Sequence, residues 1–236
     1  MALPRGARAR APEVARILAA EYPDAHCALD HRDAYELLAA TILSAQCTDE
    51  RVNMVTPVLF ERYPRPEELA EADPSEVEEI IHSTGFFREK TKNLIGMATR
   101  LTEAYGGVVP TALDDLVTLP GVGRKTGNVV RSVAFNLPGL PVDTHVTRLS
   151  NRLKLTNETD AVKIERDLNS MLAPDEWGLF SLRMIDHGRA VCDARKPRCD
   201  VCVLNEICPS AFKVMAKPVK KASTKKRSVR KSAPGR

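Results

Sequence analysis

Four of the six cysteines fall within 17 residues near the end of the chain, and this cluster constrains what the chain can fold around. Cys192, Cys199, Cys202 and Cys208 are separated by six, two and five residues, while the other two cysteines lie far upstream. Secreted disulfide frameworks spread their cysteine pairs along a short chain, so this clustering predicts a metal or metal-cluster site in a reducing compartment. Structural zinc usually takes two short cysteine pairs, and four thiolates also suit a [4Fe–4S] cluster, so residue types alone leave zinc and iron open.

The composition is typical of a globular chain that crosses no membrane. With 236 residues, the chain can form one large domain or two small ones. Apolar residues make up 43% and charged residues 28% of the sequence, and no apolar run approaches the roughly 18 residues of a membrane helix. Arg5, Arg8 and Arg10 are not followed by the apolar segment of a secretory signal, so the cytoplasm is the expected location.

Helical periodicity predicts an all-α fold. Aromatic residues are only 5% of the chain and long alternating β-branched runs are absent, which argues against a β-sandwich or β-barrel. Apolar spacing predicts helices over 88–105, 124–135, 144–153, 160–172 and 176–190. A buried helix is predicted at 35–43, and it runs into a polar break at 44–49.

The charge is divided between an acidic body and a basic tail. Residues 213–236 carry ten Lys and Arg and no acid, and residues 1–212 carry 25 basic and 31 acidic residues. The tail has too few apolar residues to fold alone, so we predict that 213–236 is disordered. It serves either to solubilise the protein or as a nonspecific anchor for nucleic acid. Eight acids crowd 61–79, a face that would repel phosphates and is predicted to point to solvent.

A glycine-rich turn separates two predicted helices at 119–123. A short amphipathic segment with Leu113, Leu116 and Val117 on its inner face leads into Leu-Pro-Gly-Val-Gly, and a helix follows. Gly121 and Gly123 permit a tight turn and a close approach to another surface. The amides of the turn and of the next helix then form an anion site suited to a phosphodiester. The alternative is an ordinary helix-turn-helix corner.

Residues 119–128 resemble the helix-hairpin-helix motif of DNA-repair glycosylases, and the resemblance extends over nearly all of 11–209. It is carried by Leu43-Ser44-Ala45-Gln46, Val142-Asp143-Thr144-His145-Val146, His187-Gly188-Arg189 and Ala194-Arg195-Lys196-Pro197-Arg198-Cys199. Together these segments are similar to the bacterial endonuclease III family, whose members excise oxidised pyrimidines and cleave abasic sites. The resemblance implies a helix-hairpin-helix glycosylase fold with a six-helix domain at 28–137. A second helical domain would join 1–27 to 138–212 and carry the [4Fe–4S] loop.

The resemblance also implies a partner and a location. The expected partner is double-stranded DNA that contains damaged bases or abasic sites, gripped between the two domains. We expect a monomer in the bacterial cytoplasm, associated with the nucleoid. The cysteine spacing matches the iron–sulfur loop of the family, so Cys192, Cys199, Cys202 and Cys208 are the expected ligands of a [4Fe–4S] cluster.

Lys125 and Asp143 are the expected catalytic residues. A lysine amine can attack the sugar in place of water and form a Schiff base, which makes β-elimination possible. A carboxylate stabilises the oxocarbenium-like charge that develops as the base leaves. By position alone, Lys125 is equally well explained as a phosphate-binding lysine, and Asp143 as a helix N-cap. In the family the matching residues are the nucleophile and the second catalytic residue.

The remaining expected site residues contact DNA. The family's glutamine at the position of Gln46 enters the gap that a flipped base leaves. Phe86 stands where the family often has a leucine wedge; it acts as a wedge itself or packs in the core with Phe87. The other expected DNA contacts are Gly121, Gly123, Arg124, His145, Arg195, Lys196 and Arg198. Cys47 and Gly127 depart from the alanine common in the family, and no compensating reason for Gly127 is visible in the sequence.

Two alternative functions remain open at this point. Adenine-mismatch glycosylases share the hairpin, the aspartate and the iron–sulfur loop, but they usually lack a lysine at position 125 and carry an extra C-terminal domain. Residues 213–236 are too few for such a domain. The other alternative is a noncatalytic DNA-binding module in which the hairpin and the cysteine loop only bind the duplex.

Overall fold

The computed structural model describes residues 2–213, and all regular secondary structure in this part of the chain is helical. It contains eleven α-helices and two 3-10 turns, at His82–Thr84 and Pro174–Glu176, and no strand within that range. The all-α prediction is therefore confirmed. Apart from Lys213, the basic tail predicted at 213–236 lies outside the described residues.

The helices follow the predicted pattern closely. In chain order they are α1 (Ala7–Glu21), α2 (Ala34–Leu43), α3 (Asp49–Arg62), α4 (Pro66–Ala70), α5 (Pro74–Ile81), α6 (Phe87–Tyr105), α7 (Leu113–Leu116), α8 (Arg124–Ala134), α9 (Thr144–Arg152), α10 (Ala161–Asn169) and α11 (Trp177–Ala190). The tenth helix ends three residues before the predicted boundary at 172. Val117 was expected to face inward, but α7 ends at Leu116 and the Val117 side chain is 41% exposed.

Short polar side chains fix where several of these helices begin. Asp33 accepts a hydrogen bond from the amide of Glu36 at 2.9 Å, and Asp160 accepts one from the amide of Lys163 at 3.0 Å. Each bond satisfies an amide that has no partner within its helix. At the C-terminal end of α6, the C-cap residue Gly106 adopts a left-handed conformation with φ 59°, which glycine reaches without steric cost.

Buried apolar side chains form two clusters within the described residues. The first runs from Leu29 to Val130 and draws on α2 to α8. The second joins α1 to α9, α10 and α11 and extends to Leu204 beside the cysteine loop. The first helix of the chain thus packs against the last, while α8 contacts both α2 and α11. The eight acids of 61–79 are exposed or half-buried at the surface of the first cluster, as predicted.

Two ion pairs connect the clusters. The Arg124 guanidinium at the start of α8 donates to both carboxylate oxygens of Glu165 on α10, at 2.7 and 2.8 Å. The Glu165 side chain is only 7% exposed. Arg189 on α11 contacts Asp49 at the start of α3 at 2.9 Å. The bidentate pair carries the greater part of this connection, because two parallel hydrogen bonds to a buried carboxylate fix both position and angle.

Glu165→Gln should lower the free energy of unfolding by about 2 kcal/mol, because the Arg124 guanidinium loses a charged, buried partner. Glu68→Gln, which breaks an exposed pair with Arg65, should cause little change. Urea unfolding of the two variants and of the parent chain measures the difference. Equal midpoints for the two variants would contradict this role of the Arg124–Glu165 pair.

Candidate active site and nucleic-acid interface

The hairpin between α7 and α8 is open on its outer side. Gly121 has φ 76°, and a Cβ built on it would lie 2.8 Å from the Cβ of Asn93, so only glycine fits there. Gly123 is the extended N-cap of α8, and a Cβ there would meet nothing within 4 Å. Because Gly123 has no side chain to accept from the first amides of α8, those amides are available to an external anion.

Lys125 is the second residue of α8 and is exposed at this open end. Its ammonium takes part in no hydrogen bond or ion pair among residues 2–213. Burial raises the pKa of the nearby Cys27 thiol; the charge of Asp49 raises it further and the charge of Lys125 lowers it. Asp49 and Lys125 therefore each lie within electrostatic range of Cys27, which packs against the first cluster.

Asp143 caps α9, as one of its two interpretations predicted. One carboxylate oxygen accepts from the amide of Val146 at 2.8 Å. The side chain is half-buried, and its second oxygen has no hydrogen-bond partner among the described residues. The cap therefore leaves a carboxylate oxygen that a substrate could approach, and it orients that oxygen through a helix terminus.

His145, one residue into the same helix, is held by its neighbours. Arg148 donates to its Nδ1 at 3.1 Å, and a Cβ on Gly188 of α11 would lie 2.6 Å from that nitrogen. Burial lowers the pKa of His145; the nearby charge of Asp143 opposes this and that of Arg148 adds to it. At neutral pH, His145 is therefore an uncharged group between α9 and α11.

The two side chains expected to enter the duplex share an unusual backbone conformation. Gln46 and Phe86 are both left-handed, with φ 54° and 49°, and both are exposed. Phe86 is 68% exposed, so the alternative that it packs in the core is wrong; Phe87 instead packs against His82 with ring centroids 4.4 Å apart. A left-handed residue other than glycine costs about 1 kcal/mol or more, and such strain concentrates at functional sites.

A buried lysine that the sequence did not single out supports these loops. Lys90 on α6 is 4% exposed, and its ammonium donates to the carbonyl of Thr84 at 2.9 Å, two residues before Phe86. Burial lowers the pKa of Lys90, while the neighbouring Cys47 acts to raise it. The ammonium thus lies between the loop of Gln46 and the loop of Phe86. In the sequence, Lys90 differs from the exposed Lys92 only by its helical spacing, four and seven residues before the buried Leu94 and Met97.

The four clustered cysteines come together around one cavity. Cys192, Cys199, Cys202 and Cys208 are half-buried free thiols that line one cavity of about 30 Å³. Burial raises the pKa of Cys202 to about 11, and the other three sulfurs add to this rise. So many thiols ionise together only against a strong cation, and an iron–sulfur cluster supplies one. The donor set therefore fits the cluster expected from the sequence.

The four cysteine sulfurs line the same cavity but do not converge on the position of a single metal ion. Within residues 2–213, no three His, Cys, Asp or Glu side chains are close enough to hold a single metal ion. A [4Fe–4S] cluster binds each of its four thiolates at a different iron atom.

Two arginines of α9 hold the beginning of the cysteine loop. Arg148 and Arg152 both donate to the carbonyl of Cys192 at 3.2 Å. Arg152 also donates to the Cys192 sulfur at 3.2 Å and to the carbonyls of Asp193 and Ala194 at 2.7 and 2.8 Å. In the sequence, Arg148 and Arg152 are two of several basic residues after the hairpin. Their contacts with the cysteine loop join residues some forty positions apart.

The three cations inside the loop face outward. Arg195, Lys196 and Arg198 are exposed. The Asp193 carboxylate accepts from the amides of Arg195 and Lys196 at 2.7 and 3.0 Å, which fixes the turn that carries them. Arg198 donates to the carbonyl of Ala190. Among the described residues, Arg124 is the expected DNA contact whose charged side chain pairs with a carboxylate, that of Glu165.

No helix among the described residues is long and apolar enough to span a membrane.

Two family models match the chain. That of the HhH-GPD superfamily of base excision DNA repair proteins matches residues 39–174, and that of the iron-sulfur binding domain of endonuclease III matches residues 192–208. Endonuclease III of Synechocystis sp. is 56% identical over 203 residues, which cover 86% of this chain and 93% of the relative. Endonuclease III of Bacillus subtilis is 45% identical over 188 residues, covering 79% and 86%.

Solved structures agree with these relatives. A non-covalent endonuclease III–DNA complex is 41% identical with a TM-score of 0.83, and it covers 87% of this chain and 97% of its own. A trapped endonuclease III–DNA covalent intermediate is 42% identical with the same TM-score and coverage. The chain therefore belongs to the endonuclease III family, the iron–sulfur DNA glycosylases and abasic-site lyases of base excision repair.

Proposed function

We propose that this protein excises oxidised pyrimidines such as thymine glycol and then cleaves the strand 3′ to the abasic site, with Lys125 as nucleophile. The observation that carries this proposal is the exposed, unpaired amine of Lys125 at the uncapped start of the hairpin helix. Asp143 supports the proposal as the second group, because its helix cap orients one carboxylate oxygen and leaves the other without a hydrogen-bond partner among the described residues.

The chemistry follows from the two groups. The Lys125 amine attacks the anomeric carbon, the N-glycosidic bond breaks, and its electron pair and a proton leave with the base. The C1′–O4′ bond then breaks, the second amine proton passes to O4′, and a Schiff base between Lys125 and C1′ results. Loss of a proton from C2′ then expels the 3′ phosphate by β-elimination. The carboxylate of Asp143 stabilises the positive charge on the sugar as the bond to the base breaks.

The DNA grip combines backbone amides with ordered cations. We propose that the two apolar clusters correspond to two domains, 28–137 and 1–27 joined to 138–212, with the duplex between them. The amides at Gly121 and Gly123 hold one stretch of backbone, while Arg195, Lys196 and Arg198 hold another. His145 lines the groove from α9. Arg124 acts here by fixing α8 through Glu165, so that the neighbouring Lys125 keeps its position.

Gln46 and Phe86 fill the space that the flipped nucleotide vacates. Their strained, exposed positions on two adjacent loops support this assignment. The solved relatives are complexes with DNA, one of them covalent, which agrees with a duplex partner and a covalent step. The protein acts as a monomer in the cytoplasm, at the nucleoid where such a substrate lies.

The cluster ligands are Cys192, Cys199, Cys202 and Cys208. A bound cluster would supply positive charge that neutralises the four thiolates. It would also fix both ends of the loop segment between Cys192 and Cys199, which would hold Arg195 and Lys196 in a fixed geometry. Excision of a base transfers no electrons, so the catalytic groups remain Lys125 and Asp143.

Lys125→Gln should abolish borohydride trapping on an abasic duplex, because the amide has no nucleophilic amine, while binding to that duplex persists. Gel analysis of the trapped complex gives the measurement. Lys163→Gln, an exposed lysine on α10, should trap as the parent chain does. Undiminished trapping in Lys125→Gln would overturn the assignment, and no trapping in the parent chain would favour a monofunctional mismatch glycosylase.

Asp143→Asn should reduce base excision by about 10²-fold or more, since the charge near the developing cation is lost. Asparagine caps helices about as well as aspartate, so thermal unfolding should change little. Single-turnover excision from a thymine glycol duplex measures the effect. Parent-like rates would mean that Asp143 is only a helix cap.

Lys90→Met should leave the Thr84 carbonyl without its buried partner and loosen the loop that carries Phe86. We expect faster hydrogen exchange of the amides at 84–88 and a weaker signal from a fluorescent base placed beside an abasic site. Lys92→Met, on the exposed side of the same helix, is the control. Equal exchange in both variants would show that Lys90 does not support this loop.

The purified protein should contain about four irons per chain and little zinc. Cys202→Ser should lower the iron content and weaken binding of an abasic duplex. Metal analysis that returns one zinc and no iron would overturn the ligand assignment.

A further inference from the structure

A buried histidine contacts one cysteine of the loop and a tyrosine from the other end of the chain. His187 on α11 is 1% exposed, and its Nε2 lies 3.3 Å from the sulfur of Cys202. Its Nδ1 lies 3.0 Å from the hydroxyl of Tyr22, the C-cap of α1. The two rings meet edge to face, with centroids 5.8 Å apart and planes inclined by 72°. None of the steps proposed above uses this contact.

The directions of the two hydrogen bonds follow from the chemistry of the sulfur. A thiolate bound to iron has only lone pairs on that side, so it can accept a hydrogen bond but not donate one. The Nε2 of His187 must therefore carry the hydrogen. In the neutral ring Nδ1 then has only a lone pair, and the Tyr22 hydroxyl must donate to it. The result is one directed chain, from Tyr22 O–H to His187 and from His187 N–H to Cys202.

A hydrogen bond to a ligand sulfur has a known electronic consequence. It withdraws negative charge from the thiolate and stabilises the more reduced form of a cluster, so it raises the reduction potential. The hydrogen bond from Tyr22 selects the His187 tautomer in which Nε2 carries the hydrogen, so the Cys202 sulfur receives a hydrogen bond while this contact is in place. The two hydrogen bonds thus act together on one sulfur.

The four sulfurs receive different contacts. Arg152 donates from a charged guanidinium to the Cys192 sulfur at 3.2 Å. The backbone amides of Leu204 and Ser210 lie within hydrogen-bonding reach of the sulfurs of Cys202 and Cys208. Among the described side chains, the neutral His187 adds its N–H to the Cys202 sulfur.

We propose that His187 tunes the iron–sulfur cluster through Cys202, that Tyr22 holds His187 in the donating tautomer, and that this pair protects the cluster against oxidative loss. His187 is thus a positioning residue for the cofactor. It has no part in the bond cleavage assigned to Lys125. The inference rests on the proposed role of Cys202 as an iron ligand.

The pair also connects the first helix to the cysteine loop. Tyr22 lies 165 residues before His187, and its ring reaches His187 only when α1 is docked on α11. The electronic state of the cluster then depends on how the N-terminal helix packs. The hydrogen bond from Tyr22 is the physical connection.

The test compares His187→Leu, His187→Gln and Tyr22→Phe with Met184→Ala. Met184 is fully buried on the same helix and has no N–H or O–H that a sulfur could accept. Iron content is measured first for each protein. The reduction potential then follows from anaerobic titration monitored by electron paramagnetic resonance, and stability to oxidation from the rate of iron release after addition of ferricyanide.

We expect a more negative potential and several-fold faster iron release in His187→Leu. Tyr22→Phe should show a smaller shift of the same sign, and His187→Gln, which keeps an N–H donor, a partial rescue. Met184→Ala should lose thermal stability without a shift in potential. If His187→Leu fails to retain its cluster, Tyr22→Phe decides, because it removes a single hydroxyl.

Parent-like reduction potentials and iron-release rates in Tyr22→Phe and in a cluster-containing His187→Leu would overturn this inference and leave the ligand assignment intact. A parent chain without iron overturns the ligand assignment and this inference together. An equal shift in Met184→Ala would assign the effect to packing and also overturn the inference.

Discussion

The hydrogen bonds from Arg148 and Arg152 to the carbonyls at Cys192–Ala194 are the contacts on which the rest of the site depends. Both arginines belong to α9, whose first turn is capped by Asp143. One helix of nine residues therefore holds the cysteine loop at its last turn and the proposed catalytic carboxylate at its start. A helix is stiff over this length, so the carboxylate and the loop that carries the proposed DNA-binding cations keep a constant separation.

The hairpin helix is fixed in a comparable way. Arg124 is the first residue of α8 and Lys125 the second, and the bidentate contact of Arg124 with the buried Glu165 determines where that helix begins relative to α10. The positive charge of Arg124 is thereby balanced within the protein. Lys125 has no hydrogen-bond or ion-pair partner among residues 2–213, so its amine is not held by a structural contact and can serve as the proposed nucleophile.

Strained and buried residues occur together at the surface that we propose meets the duplex. Gln46 and Phe86 occupy left-handed conformations on separate loops, and a conformation of that cost persists only when its surroundings hold it. Lys90 is part of those surroundings, since its buried ammonium bonds to Thr84 beside one loop and lies near Cys47 beside the other. Desolvation of an ammonium is unfavourable, so its retention at 4% exposure indicates a role in shaping these loops.

Local patterns in the sequence were sufficient for the helices, the glycine hairpin, the cap at Asp143 and the grouping of the four cysteines. Each depends on residues a few positions apart, where backbone geometry alone decides. The tertiary structure decided what depends on distant contacts. The sequence shows no reason for Gly127, whereas in the fold a Cβ there would lie 2.6 Å from the Leu113 side chain. Phe86 is exposed, and its neighbour Phe87 packs against the first apolar cluster instead. Arg124 is an expected DNA contact, and the sequence does not show that its guanidinium also pairs with Glu165, 41 residues away. Likewise, the residues around His187 in the sequence do not predict its hydrogen bonds to Cys202 and Tyr22, because only the packing of α1 on α11 brings the three side chains together.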